Sequence, residues 1–263
     1  MKVPQLKKKT ELKSCHNTNW EDDYSWVHQP NILEVLKDSS KLDPEVRKYL
    51  EEENNYTEHH LKDTKGIQKT LFDEIKGRIK LDDESIPFKD RNYEYWTKTT
   101  TKGNYSIKLR KKIGTDLIEE YWNGDEEKKK LNTEYFGVGD IEVSYNDKIL
   151  GYSLDLKGSE YYTIYLRDIE TNKIISEKIE DTAGGITFSL DDKFIFYSKL
   201  DKFHRPRKIY RHKIGDNISN DKLIFEEKSD AFTVGINLTS DEKYFIITSS
   251  DHNTSEPVSY THL

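Results

Sequence analysis

The 263-residue chain sets 42 Lys and Arg against 49 Asp and Glu, a formal net charge of −7, and so lacks the basic footprint that nucleic-acid binding needs. Only 33% of its residues are hydrophobic, yet 17 Tyr and 10 Phe suit pleated, half-buried sheet and separate the chain from a disordered polyampholyte. The single Cys15 excludes an internal disulfide framework. The charged start Met1–Lys9 is followed by no apolar run that would read as a signal peptide, and no stretch reaches the length of a membrane span. A cytoplasmic, reducing compartment is the expectation.

Residues 1–42 read as irregular, with Asp22-Asp23-Tyr24-Ser25-Trp26 a surface segment pinned by its rings. Asp43-Pro44-Glu45 is a helix start, with Asp as N-cap, Pro at N1 and an acid in the first turn. Val46, Leu50, Tyr56 or Thr57, and Leu61 supply an uneven helical stripe. A second helix is predicted from Gly66 to Arg78, where Ile67, Leu71, Ile75 and Ile79 recur every four residues.

From Ile86 the period changes to two. Phe88, Tyr93, Tyr95 and Trp96 flag the first strands, Tyr105 to Leu109 alternates, and Leu117–Trp122 runs into Asn123-Gly124, a turn signal. The charge run Glu126–Lys130 reads as a solvated connection. Further strand clusters start near Ile141, Ile186 and Val234, with third strands at Tyr161–Arg167 and Lys208–Ile214.

These clusters repeat one phrase. Ser144-Tyr-Asn-Asp-Lys, Ser189-Leu-Asp-Asp-Lys and Thr239-Ser-Asp-Glu-Lys each join a strand end to an apolar run, and Val143, Phe188 and Leu238 stand at corresponding positions 45 and then 50 residues apart. A period of that length with several short strands per unit marks a β-propeller blade. The fold class is therefore mainly β, an incomplete propeller of about three and a half blades behind an N-terminal helical segment. The expected divisions are 1–82 for the helical extension, then blades near 83–135, 136–180, 181–228 and 229–256. Asp147, Asp192 and Glu242 should occupy equivalent turns, with Gly139–Val143 pairing Ile149–Ser153 and Gly185–Phe188 pairing Phe194–Ser198.

Candidate chemistry is sparse. His59-His60 adjoin on a helix and point about 100° apart, unlike an i, i+4 ligand pair. His16, His204, His212 and His252 lack ligand spacing. Gly151-Tyr-Ser-Leu-Asp155 lacks the closing Gly of a nucleophile elbow and sits in a strand pattern. Asp191-Asp192 recurs as a turn former, and Thr182-Ala-Gly-Gly185 precedes a strand where a phosphate loop would precede a helix. No catalytic, cofactor-binding or metal site is read from these residues, and no cofactor is called for. Substrate-contacting residues are left unassigned.

Longer stretches carry a resemblance. Gly151-Tyr-Ser-Leu-Asp-Leu-Lys-Gly-Ser-Glu-Tyr-Tyr-Thr163, Arg167-Asp-Ile-Glu-Thr-Asn-Lys173, Gly184-Gly185, His204-Arg-Pro206, Tyr210-Arg-His-Lys213 and Thr254-Ser-Glu256 occur in that order. They resemble the propeller of the oligopeptidase B group within the prolyl oligopeptidase family of serine peptidases. Asp23-Tyr-Ser-Trp26, Asp43-Pro-Glu-Val46, Tyr49–Asn54 and Leu71-Phe-Asp-Glu-Ile-Lys-Gly-Arg-Ile79 match its N-terminal part. The resemblance implies a seven-bladed propeller that screens large substrates and gates access to a C-terminal α/β-hydrolase domain. It also implies that the N-terminal segment wraps onto that domain, which supplies Ser, Asp and His and cuts short peptides after Lys or Arg. Every matching position lies upstream of such a triad, so no triad residue is carried over, and the chain alone is expected to be inactive. A stand-alone propeller module that binds a protein or peptide is the alternative, and a glycan-binding propeller a third. The match stops after Glu256, and Val258-Ser-Tyr-Thr-His-Leu263 resembles a translated sequencing adapter. The expectation is a truncated gene fragment with a non-native tail at 257–263, the alternative a genuine short tail. An irregular course over 249–263, best order in the second and third blades, underpacked Leu71, Phe72 and Ile75, and a tendency of the isolated chain to aggregate complete the expectations.

Overall fold

A computed structural model describes residues 1–260. The chain forms two compact units, Met1–Lys80 and the residues from Leu81 onward. In the first unit, β1 (Glu11–Cys15) and β2 (Thr18–Asp22) form a hairpin, followed by α1 (Ile32–Lys37), α2 (Pro44–Leu61) and α3 (Lys65–Gly77). The irregular course expected for residues 1–42 is thus corrected. The hairpin has little apolar alternation because it is exposed along most of its length, and its turn is made by His16 and Asn17 at φ of 49° and 62°. Trp26 is pinned as expected, donating its indole N–H to the Lys7 carbonyl at 2.8 Å under the Lys9 ammonium. Asp43 caps α2 by accepting from the Glu45 and Val46 N–H groups. Leu71, Phe72 and Ile75 on α3 are 48%, 62% and 60% exposed, so the apolar stripe of this helix is bare.

The second unit contains β3 (Asp83–Glu84), β4 (Phe88–Asp90), β5 (Tyr93–Thr99), β6 (Ile107–Lys112) and β7 (Ile118–Asn123), which form the first sheet and lead into α4 (Gly124–Leu131). Next come β8 (Gly137–Val143), β9 (Ile149–Asp155), β10 (Tyr162–Asp168) and β11 (Ile179–Thr182). The third set is β12 (Thr187–Phe188), β13 (Phe194–Leu200), β14 (Pro206–Lys213) and β15 (Lys222–Glu226), and the fourth is β16 (Thr233–Leu238), β17 (Phe245–Ser250) and β18 (Ser255–Tyr260). Neighbouring strands within each set pair antiparallel. The second and third sets touch edge to edge where Thr182 faces Lys199.

Three apolar clusters lie between consecutive sheets. Trp122 and Phe136 meet Leu150, Tyr152 and Leu154. Ile164, Leu166 and Ile179 meet Phe188, Ile195 and Tyr197. Phe196 and Ile209 meet Val234, Ile236, Phe245 and Ile247. Successive side chains of a strand point to opposite faces, so Ile195 and Tyr197 serve one interface and Phe196 the next. The second and third sheets are each covered on both faces by their neighbours, which is the packing of propeller blades, and the array is open.

The repeated phrase folds three times alike. Asp147, Asp192 and Glu242 have φ of 62°, 57° and 58°, the left-handed region that Asp tolerates better than most residues. Their N–H groups close turns onto the carbonyls of Ser144, Ser189 and Thr239 at 2.9, 3.0 and 2.9 Å. The hydroxyls of Ser144, Ser189 and Thr239 donate to Asn146, Asp191 and Asp241 at 2.8, 2.7 and 2.6 Å. Val143 pairs Leu150 and Phe188 pairs Ile195, so the expected segments meet, although β12 is only two residues long.

Two sequence expectations fail here. Asn123-Gly124 is a helix start and not a hairpin turn. The Asn123 side chain accepts from the Glu126 N–H, acids fill the first turn, lysines the last, and Asn132 ends the helix at φ 48°. That arrangement complements the helix dipole, and the run Glu126–Lys130 is therefore helical. Nor is it only solvated. Glu127 is buried and pairs with buried Arg167 on β10 at 2.7 Å, and the Arg167 guanidinium lies over the rings of Trp122 and Tyr152. The second failure is the end of the chain. Residues 249–250 finish β17, and Ser255–Tyr260 form β18 in register with it, because the Asp251 carboxylate collects the Asn253 and Thr254 N–H groups and turns the chain back. The fourth sheet therefore has three described strands where two were expected. Residues 261–263 lie outside the described residues.

Removing one partner of a buried ion pair leaves the other charge unmatched. Glu127→Ala should lower the unfolding free energy by about 3–5 kcal/mol. Lys130→Ala, which removes the surface lysine that also touches Glu127, should change it by less than ~1 kcal/mol. Urea unfolding of the two variants checks this, and equal effects would refute the buried-pair assignment.

Candidate functional site

Strands β4, β8, β12 and β16, one from each sheet, carry the site. With the residues that follow them they line one cavity of about 240 Å³ that includes Asp90, Arg91, Glu142, Tyr145, Thr187 and Glu242. Arg91 directly follows β4 at φ 50°. Its guanidinium touches Asp90 at 2.6 Å and lies 4.6 Å from the centre of the Tyr145 ring. Burial raises the Tyr145 phenol to about 12.

Glu142 reaches the cavity's water but is walled by protein on most sides, so burial, helped by the nearby Asp140 charge, raises its carboxyl to about 7 while Arg91 pulls the other way. Burial also raises Asp140, although the Ile186 and Ile141 N–H groups donate to it. Through the Ile186 contact Asp140 ties the second sheet to the start of the third. Asp192 repeats the device. Its carboxylate accepts from the Tyr145 and Asn146 N–H groups of the preceding turn at 2.6 and 2.9 Å. Asp147 likewise reaches back to the first sheet, accepting from Tyr95 Oη at 2.9 Å and Asn92 Nδ2 at 3.0 Å, while Arg110 donates to its carbonyl. The arrangement offers one arginine and several recessed acids to a ligand, which suits charged and polar peptide groups.

A larger surface hollow of about 780 Å³ lies between the first two sheets, with Arg110, Lys112, Glu119, Asp168 and Glu170 among its walls. Its charges are mixed, and Arg110 is already satisfied by Glu119 at 2.8 Å.

The residues singled out in the sequence do not converge. His59 and His60 lie near the end of α2, their rings meeting edge-on, and His60 also packs at a tilt against Tyr56. His16 sits in the β1–β2 turn, His204 reaches the Ser159 carbonyl at 3.1 Å, and His252 lies between β17 and β18. Gly151–Asp155 lies within β9, where Ser153 is buried and accepts from the Asp140 N–H. Gly151 is glycine because Phe188 packs on it: a Cβ there would stand 3.1 Å from the ring. Asp191 and Asp192 are turn residues as read. Thr182–Gly185 crosses between sheets, with Gly184 at φ 96°.

One histidine was read too plainly. His212 is fully buried on β14, with Nδ1 2.7 Å from Asp221 Oδ1 and Nε2 2.9 Å from Ser176 Oγ. Thirty-six residues separate Ser176 from His212, so no spacing rule could have joined them.

Comparison with known proteins bears on this arrangement. The sequence model described as "Prolyl oligopeptidase, N-terminal beta-propeller domain" matches residues 4–262. The dipeptidyl aminopeptidase BI of Pseudoxanthomonas mexicana is 28% identical over 96% of this chain, and Protease 2 of Moraxella lacunata 27% over 97%. The chain spans about 36% of the length of each of these relatives. Among solved structures, oligopeptidase B from Leishmania major superposes with a TM-score of 0.85 at 22% identity, covering 97% of this chain and 37% of its own. Oligopeptidase B from Trypanosoma brucei has the same score and identity, covering 99% and 37%. At that identity the likeness establishes the fold.

Glu142 supplies a titration test. Its folded carboxyl lies above the unfolded value of 4.5, so the native state binds the proton more tightly. Its contribution falls as pH rises from about 4.5 to 7. Glu142→Gln should gain stability over the native protein across that window and hold the gain above it. Denaturant unfolding at pH 4.5, 6 and 8 reads the difference, and a difference independent of pH would show that Glu142 titrates normally.

Proposed function

The chain belongs to the prolyl oligopeptidase family, and on that premise we propose that it is the N-terminal propeller portion of a serine oligopeptidase that cuts short peptides after Lys or Arg. Hydrolysis would fall to a C-terminal α/β-hydrolase domain, and the propeller would admit short peptides and exclude folded proteins. The observation that carries this reading is the span of the match: nearly all of this chain aligns with about a third of two peptidases. The order of motifs resembling the oligopeptidase B group supports the preference for basic residues, and the cavity acids Asp90, Glu142 and Glu242 suit cationic peptides in transit.

The bare stripe of α3 supports the partner domain. Ile67, Leu71 and Ile75 recur at helical spacing and are 61%, 48% and 60% exposed. An apolar stripe of this kind buries against a partner surface, and the hydrolase domain is the partner assigned to it. Taken without that domain, the chain should associate in solution, and light scattering of the purified chain reads this. A monodisperse monomer with one cooperative unfolding transition would contradict it.

The deciding experiment is the source gene. A reading frame running past Glu256 into further blades and a Gly-x-Ser-x-Gly elbow is expected. The whole enzyme should release fluorophores from Lys and Arg peptides at least tenfold faster than from Pro peptides, and the 263-residue chain should show no such turnover. A stop codon after Leu263, or a preference for Pro, would overturn the reading.

A further inference from the structure

The Ser176, His212 and Asp221 arrangement is carried by three separate stretches of chain. Ser176 lies in the connection between β10 and β11, His212 on β14, and Asp221 just before β15. The second and third sheets must be docked for the three to meet. A carboxylate only accepts hydrogen bonds, so Asp221 fixes the proton on His212 Nδ1 at 2.7 Å. That leaves Nε2 with its lone pair facing Ser176 Oγ at 2.9 Å. The second carboxylate oxygen is held by Tyr197 Oη at 2.8 Å. Burial, and then the Asp221 charge, drive that phenol upward, so it remains a donor. His212 is wholly buried and Ser176 only partly. The base is thus shielded, while the serine that carries the hydroxyl is part-exposed.

This is the relation of nucleophile, base and orienting acid that activates a serine hydroxyl. We propose that Ser176 is an activated serine, a site of covalent acylation by activated esters and of phosphonylation by organophosphorus electrophiles. It lies in the connection between β10 and β11. With an aryl ester, Oγ attacks the carbonyl carbon as its proton passes to His212 Nε2. The tetrahedral adduct then collapses, the bond to the aryloxide breaks, and the proton leaves with the phenol. Ser176 keeps the acyl group. With a fluorophosphonate, an Oγ–P bond forms, the P–F bond breaks, and fluoride departs while Nε2 holds the proton. Neither step needs an oxidant, a metal or a cofactor. The inference does not depend on the Lys/Arg reading, because the site lies wholly within this chain.

The test treats the 263-residue chain with a fluorophosphonate probe and locates the adduct by peptide mass spectrometry. Exposed Ser219, on the neighbouring loop, serves as the internal reference. Ser176 should label at least a hundredfold faster than Ser219, the scale that a positioned general base contributes. Equal rates in the unaltered protein would overturn the proposal without recourse to any variant. Asp221→Asn and His212→Gln should each lower Ser176 labelling about a hundredfold or more, with near-ultraviolet circular dichroism reporting the fold. Should either variant unfold, Ser176→Ala, in a partly exposed connection, supplies the second measurement. It should keep the native spectrum and lose one equivalent of p-nitrophenolate released from p-nitrophenyl acetate. An unchanged burst in that variant would assign the acylation elsewhere and refute the site. A purely structural contact between the sheets would leave Ser176 unlabelled.

Discussion

The two inner sheets of the second unit, the second and the third, are apolar on both faces, and that one constraint governs the rest. In β9, Leu150, Tyr152 and Leu154 look toward the first sheet while Gly151 receives Phe188 from the third. In β13, Ile195 and Tyr197 look back to the second sheet while Phe196 looks forward to Phe245, ring centres 4.6 Å apart. A sheet with two such faces cannot stand alone in water, since burying each large apolar side chain contributes about 1.5–3 kcal/mol. Stacking one blade on the next is what satisfies both faces of an inner blade. Cooperativity then runs from neighbour to neighbour along the array.

Apolar faces alone do not fix the angle or height of one blade against the next. The left-handed acids do. Asp147 reaches the first sheet and Asp192 the turn of the second, each taking two donors from the blade before it. The same residue thus closes its own turn through its backbone and docks the previous blade through its side chain. This explains why the phrase is polar where a turn in isolation would need only conformational freedom. Glycine would adopt the positive φ without strain but could not dock a neighbour.

The repeat, the paired segments and the second and third helices were legible because they rest on local pattern: period two, period 3.6, and an acid at a turn. What escaped notice depends on residues far apart in sequence. The run Glu126–Lys130 gives a correct surface reading for its lysines, but Glu127 finds Arg167 forty residues on. The hairpin at Glu11–Asp22 lacks alternation because neither of its faces is buried. Strand β18 contains Pro257, which argues against a strand interior, yet an edge strand tolerates it. Within the candidate site, the turn acids were legible as turn formers, whereas their role between blades was not. The cavity-lining Arg91 and Glu142 gave no sequence signal, since a charged residue at a strand end is ordinary until the neighbouring sheets enclose it.

Enclosure also explains where the polar groups collect. Strand β12 spans only two residues, so ladder hydrogen bonds are few at the start of the third sheet and side chains help to satisfy the backbone. Asp140 does this for the Ile186 N–H, and Asp192 does it for the Tyr145 and Asn146 N–H groups. A carboxylate that takes backbone donors in a recessed position cannot also be fully solvated, and burial raises Asp140 and Asp192 for that reason. Asp140 and Asp192, whose partners Ile186 and Tyr145 line the cavity, thus shape its wall by holding neighbouring sheets together. The form of the cavity is built from groups the fold already requires.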